Sequence, residues 1–199
     1  MGKLCLAVLL AAQAATSTPR TAISQAQADA FAEKLDSLQE RSRKTARSGA
    51  VRDSVIVTEA EINSYVNFTL GPTLPAGLTD VELQLDRDRL HATASVDMDL
   101  VKRDLGKLSP WNPLSLLTGR VPVEVTGRYA AAEDGFGRVE VEEARAAGVT
   151  IPMAMLEQMV AGATRTSSDP DGFDIHAPFR LPPPVRRVRV MPGRAFLDL

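Results

Sequence analysis

The hydrophobic pattern of the chain switches repeatedly between helical and strand periods. From Ser24 to Arg47, Phe31, Leu35 and Leu38 recur at helical spacing, with no proline or glycine between them and Ser24 placed to cap. Ser48 and Gly49 end that helix, and its basic last turns (Arg41, Arg43, Lys44, Arg47) complement the negative end of the helix dipole. Val55, Ile56 and Val57 form a short strand that runs straight into a second helix. There Thr58 and Glu61 make a capping box, the threonine oxygen taking an orphan N–H and the glutamate reaching back. Ile62, Tyr65, Val66 and Leu70 are its apolar face.

After GPTLPAG the period shortens to two. Val81, Leu83 and Leu85 alternate with Glu82, Gln84 and Asp86. Leu90, Ala92, Ala94, Val96, Met98 and Leu100 alternate with His91, Thr93, Ser95, Asp97 and Asp99. This predicts two antiparallel strands, wet on one face and buried on the other, joined by a hairpin at Arg87–Arg89. Residues 105–119 interrupt the pattern with two prolines, Trp111 and a leucine cluster. Strands resume through Val121, Val123 and Val125, turn at Ala132–Gly135, and continue through Val139 and Val141. A closing hairpin turns at Pro192–Gly193. The order predicts an α+β fold, a curved antiparallel β-sheet wrapped against a long helix and shorter core helices.

Length fits one domain with enough chain to bury a core. A net charge of −2 with both signs interspersed argues against nucleic acid as a partner. Residues 1–14 have the layout of a secretory signal peptide: Lys3, an apolar run from Leu4 to Ala12, then small residues around Ala12–Gln13–Ala14. The expected organisation is that signal, a flexible lead-in over 15–23, and one domain over 24–199, whose helix (24–47) precedes a sheet and helix module (50–199). Export to the periplasm or beyond follows. The single cysteine, Cys5, lies inside the signal, so the mature chain would lack disulfides, thiolate metal sites and cysteine nucleophiles.

Reaction chemistry is sparse. His91 sits on the polar side of a strand and His176 near a loop, neither with metal-ligand spacing around it. No nucleophile elbow, zincin motif, P-loop or dinucleotide fingerprint occurs, and no cofactor is expected. Alternation turns Asp97 and Asp99 outward to water rather than into a catalytic pair. Ser168–Gly172 hints at a calcium loop, but Arg180 stands where the bidentate glutamate belongs. Asn67–Thr69 matches a glycosylation sequon within a helix.

IPMAMLEQMVAG (151–162) holds three methionines in seven positions and one charge, Glu157. On a helical wheel Met153, Met155, Leu156, Met159 and Val160 cover one arc of about 160°. Pro152 suits the first helical position and Gly162 the end. Methionine adapts to irregular shapes, so this face suits either a core or a pocket for flexible apolar chains. Ala92 and Ala94 on the strands opposite leave room for such a pocket.

The order of segments resembles exported lipid-binding proteins of the LmeA-like and related small envelope families, whose domain is similar to one module of the tubular lipid-binding (TULIP) superfamily. The resemblance spans residues 50–199: VTEAEINSYVNF after a short strand, the pair LPAGLTDVELQLDRDRLHATASVDMDL, then GRVPVEVTGRY, GVTIPMAMLEQMV and a closing hairpin. It implies a helix cradled by a bent sheet, with lipid between them. The expected function is a non-enzymatic cell-envelope protein that binds a lipid or other apolar small molecule, with transient contact at a membrane surface. Its cavity would be lined by Met153, Met155, Leu156, Met159, Val160, Ile62, Tyr65, Val66, Ala92 and Ala94, with Trp111 and Tyr65 at the entrance. The alternative is an interaction module of the envelope with a fully packed core.

Overall fold

The computed structural model describes residues 22–45, 53–105, 113–132, 135–165, 167 and 169–199. The expected signal segment, Cys5 and Trp111 lie outside the described residues. Helix α1 (Gln25–Thr45) leads to β1 (Ser54–Thr58) and α2 (Glu59–Ser64), which widens into a π-helix over Tyr65–Leu70. Then come β2 (Leu78–Asp86), β3 (Arg89–Asp97), α3 (Met98–Leu105), β4 (Arg120–Ala131), β5 (Phe136–Ala146) and β6 (Val149–Thr150). Helix α4 (Met153–Thr164), β7 (Phe179–Arg180), β8 (Arg187–Met191) and β9 (Arg194–Asp198) complete the chain. The fold is α+β, with antiparallel sheets as the alternation implies.

The large sheet runs β2-β3-β4-β5-β6, with β7 also pairing β5; the small one runs β1-β9-β8. Two bulges adjust the large sheet. Asp80 and Val81 together face Ala94, and Asp80 takes a left-handed φ of 53° to fit. On β5 the extra residue is Glu142, so Val139 and Val141 before it share a face with Ala144 and Ala146 after it. Without that insertion the period-2 pattern would send one pair to solvent. The bulge also brings β5 close to Gly127, where a Cβ would stand 2.8 Å from the Glu140 carbonyl oxygen.

The apolar face of this sheet is covered in two places. One core holds Met98, Val121, Ala144, Ala146, Ile151 and Leu156, with Val96, Val123, Val125 and Val141 packed against it. A second, under α1, α2 and the small sheet, holds Val57, Leu85, Tyr129, Val190 and Ala195, with Phe31, Ile62, Leu90 and Val139. A third, around Leu38, Leu181 and Val185, shares Phe179, Val188 and Leu197 with the second. The first shares no residue with either.

The capping box forms as expected: Thr58 Oγ1 accepts from the Glu61 N–H and Glu61 Oε2 from the Thr58 N–H. Several expectations need correction. The strand expected to run to Leu100 stops at Asp97, whose Oδ1 accepts the Asp99 and Leu100 N–H groups and so starts α3. Met98 is buried as expected, but on a helix. Asp99 is not on a strand face; its Oδ2 accepts the Gly119 N–H. Leu70 is 37% exposed rather than buried on the helix face. Helix α4 continues past Gly162 to Thr164, with Pro152 at the cap rather than inside the first turn.

Candidate functional site

Helix α4 stands over the β5 side of the large sheet and against α3. Its apolar arc meets Val121, Ala144, Ala146 and Ile151, yet only Leu156 is buried. Met153, Met155, Met159 and Val160 are each half-buried. Three pliable methionines and Val160 therefore keep part of their surface outside the packed layer.

The same face of the sheet carries a seam between the two cores. Along β3, Leu90 belongs to the second core and Val96 to the first, with Ala92 and Ala94 half-buried between them. Along β4, Val125 belongs to the first core and Tyr129 to the second, with Gly127 between. The strands where the two cores part are thus floored by two alanines and a glycine. The alanines leave this part of β3 low between Leu83 and Val125, whereas at Gly127 the β5 backbone and the Val139 side chain take the space that a Cβ would need.

Of the cavity residues expected from the sequence, the structure gathers Met153, Met155, Leu156, Met159 and Val160 on α4; Ala92 and Ala94 lie on β3, opposite Val125 and Val123 of the same core. It does not bring Ile62 and Tyr65 to the same place. Ile62 packs into the second core, and the Tyr65 ring lies 5.0 Å from that of Phe31 on α1. Val66 is half-buried on the π-helix.

The side chains that sequence reasoning missed line the edge of β2. Glu59 accepts from the Leu85 N–H. Asn63 Oδ1 accepts from the Leu83 N–H at 2.7 Å and its Nδ2 donates to the Leu83 carbonyl at 2.9 Å. Asn67 Nδ2 donates to the Val81 carbonyl at 2.6 Å and to the Asn63 carbonyl at 2.8 Å. A polar row along the helix therefore stands in for a missing strand and closes an edge that would otherwise be a template for pairing. It also commits the Asn67 amide nitrogen, the atom that the sequon would need free. A cleft of about 420 Å³ opens beside this row, lined by Ala22, Ile23, Asn63, Asn67, Asp80, Val81 and Glu82. It lies apart from the methionines, and much of its polar lining is already engaged with β2.

Candidate reactive groups do not converge. His91 is half-buried rather than fully in water, with Nδ1 3.2 Å from Thr126 Oγ1. His176 Nε2 lies 2.8 Å from Glu157 Oε1 and ties the loop before β7 to α4. Burial raises the pKa of the Tyr129 hydroxyl, which sits against the Val188 backbone without a well-formed hydrogen bond among the described residues. Among the described residues no three His, Cys, Asp or Glu side chains group to hold a metal ion, and no helix is long and apolar enough to cross a membrane. No protein-family model, curated protein or solved structure gives a significant match to the chain.

Proposed function

We propose that the protein is a non-enzymatic carrier that holds a lipid or other apolar molecule along the seam of the large sheet, beside the methionine arc of α4. The observation that carries this reading is the division of the core. The α4 core and the α2 core share no residue, and along β3 only Ala92 and Ala94 stand between them. A continuous dry core would fill that line with large side chains, because interiors pack to the density of organic crystals. Half-exposed methionines at its border suit a flexible chain, since an unbranched thioether repacks at little cost. The resemblance of residues 50–199 to exported envelope lipid-binding proteins supports the same reading, and with it a cell-envelope location for the carrier.

One observation favours the second reading, an interaction module with a packed core: the α4 arc closes directly on Val121, Ala144, Ala146 and Ile151. Uptake of an apolar fluorescent probe separates the two. A carrier takes up the probe, and Ala94→Trp, which fills the seam, abolishes uptake while circular dichroism and unfolding stay close to the parent. If the parent binds no probe and native mass spectrometry of protein from its own host shows only the bare chain, the carrier reading is wrong.

A further inference from the structure

We infer that the outer face of the small sheet docks on an anionic phospholipid surface. One face of β1-β9-β8 carries Val55, Val57, Ala195, Leu197, Val188 and Val190 into the cores. Alternation and register put the other set outward in three rows: Ser54, Asp198 and Arg187; Ile56, Phe196 and Arg189; Thr58, Arg194 and Met191. Among the described residues this face is open, with Ile56 43% exposed and all three arginines exposed.

Its chemistry is mixed in a specific way. The Arg189 Cζ stands 5.0 Å from the centroid of the Phe196 ring and that of Arg194 stands 5.8 Å from it. Arg189 is held in place by two bonds to Asp198, at 2.8 and 2.9 Å, and still leaves 54% of its side chain exposed. Arg187 and Arg194 form no salt bridge among the described residues; Arg187 lies across from Asp198 and feels its charge, so three guanidiniums meet a single carboxylate on this face. The sequence around them is segregated too: residues 179–199 hold five arginines against one aspartate, in a chain whose net charge is −2.

That combination selects the partner. A guanidinium lying over a ring keeps its N–H edge free for phosphate oxygens, which it can grip in pairs. Ile56 and Phe196, set among the cations, match the layer of a bilayer where phosphates meet the start of the acyl region. Asp198, the only acid on the face, is neutralised by Arg189. The sheet is fully paired along β9, so the face reaches a membrane as a rigid plate and needs no ordering on contact. This docking does not depend on the carrier reading, and each can stand without the other.

The test is co-sedimentation of the full protein with phosphatidylcholine vesicles, with and without phosphatidylglycerol, at low and high salt. Binding is expected only with the anionic lipid and is expected to weaken as salt rises. Arg187→Gln combined with Arg194→Gln should weaken it about 25-fold, from roughly fivefold per basic side chain at an anionic surface. Arg120→Gln combined with Arg138→Gln removes the same charge from the outer face of the large sheet and should leave binding within about twofold. The inference fails if no vesicle binds, if both lipid compositions bind alike, or if the two double variants behave alike. Capture by immobilised polyglutamate without vesicle binding would assign the face to an acidic polypeptide and equally overturn it. Probe uptake in the same samples reports on the seam separately.

Discussion

Asn63 is 1% exposed and makes both hydrogen bonds that a neighbouring strand would have made to Leu83. Replacing it with alanine leaves the Leu83 N–H and carbonyl without their partner. A buried polar group left unpaired costs about 1–3 kcal/mol, so the pair sets a range of about 2–6. Water can reach part of the gap from the adjoining cleft, which Asn63 itself lines, and this lowers the expected loss to about 2–4 kcal/mol. Asn63→Asp is nearly the same shape and discriminates further. Its carboxylate still accepts from the Leu83 N–H but opposes the Leu83 carbonyl, and it places a charge where water is scarce. The carboxyl should be pushed above its ordinary pKa, so the folded state holds its proton more firmly than the unfolded one. The variant therefore gains stability relative to the parent as pH falls and loses it as pH rises. Urea unfolding over a pH series measures both variants, and the Leu83 amide should exchange faster in each. An Asn63→Ala loss below about 1 kcal/mol at unchanged m-value, together with a pH-independent Asn63→Asp, would refute the reasoning.

The two faces of α4 predict a contrast: Leu156→Ala should cost about 2–5 kcal/mol and Met159→Ala clearly less, because only Leu156 is buried. Equal large losses in urea unfolding would mean that the methionines are ordinary core. Burial raises the Glu61 pKa, but hydrogen bonds from Lys34 and the Thr58 N–H outweigh it and hold the carboxyl below its ordinary 4.5. Its contribution is present above that value and is lost as pH falls through the lower folded one, so Glu61→Gln should flatten the acid limb of a stability-against-pH curve. An unchanged acid limb would remove Glu61 from the account.

Much of the fold was legible where one rule acted alone. Leu83/Leu85, Leu90–Val96 and Val121–Val125 alternate because one face of their sheet is covered and the other is wet, and Thr58 with Glu61 states a helix start outright. The misreadings fall where two periods share the same residues. Val96, Met98 and Leu100 continue a strand, yet Met98 and Val101 also fit a helix, and the Asp97 side chain decides by taking the N–H groups of the next turn. The β2 edge lock could not be read locally: Glu59, Asn63 and Asn67 look like the wet side of a helix until β2 is beside them. A clue did exist, two asparagines four apart on the helix that also carries Ile62, Tyr65 and Val66. On the candidate site, the methionine arc and the two alanines were legible because they rest on helix and strand periods. Where the cores part was not, since it depends on which helix covers which end of the sheet.

The row that locks β2 steps by four residues along the helix while its partners Leu85, Leu83 and Val81 step back by two. At 3.6 residues per turn, four residues overshoot a full turn by about 40°, and two such steps would rotate Asn67 about 80° out of line with Glu59. The π-helix starting at Tyr65 fits more residues into each turn and winds part of that excess back. It thus acts as a phase correction, letting a helix and a strand of unequal pitch stay in register over three contacts. Removing one residue from 65–70 would restore ordinary winding and swing the Asn67 amide off Val81. The far end of β2 would then lie open beside the Asp80 bulge, so the length of this one irregular turn decides whether the sheet has a free edge.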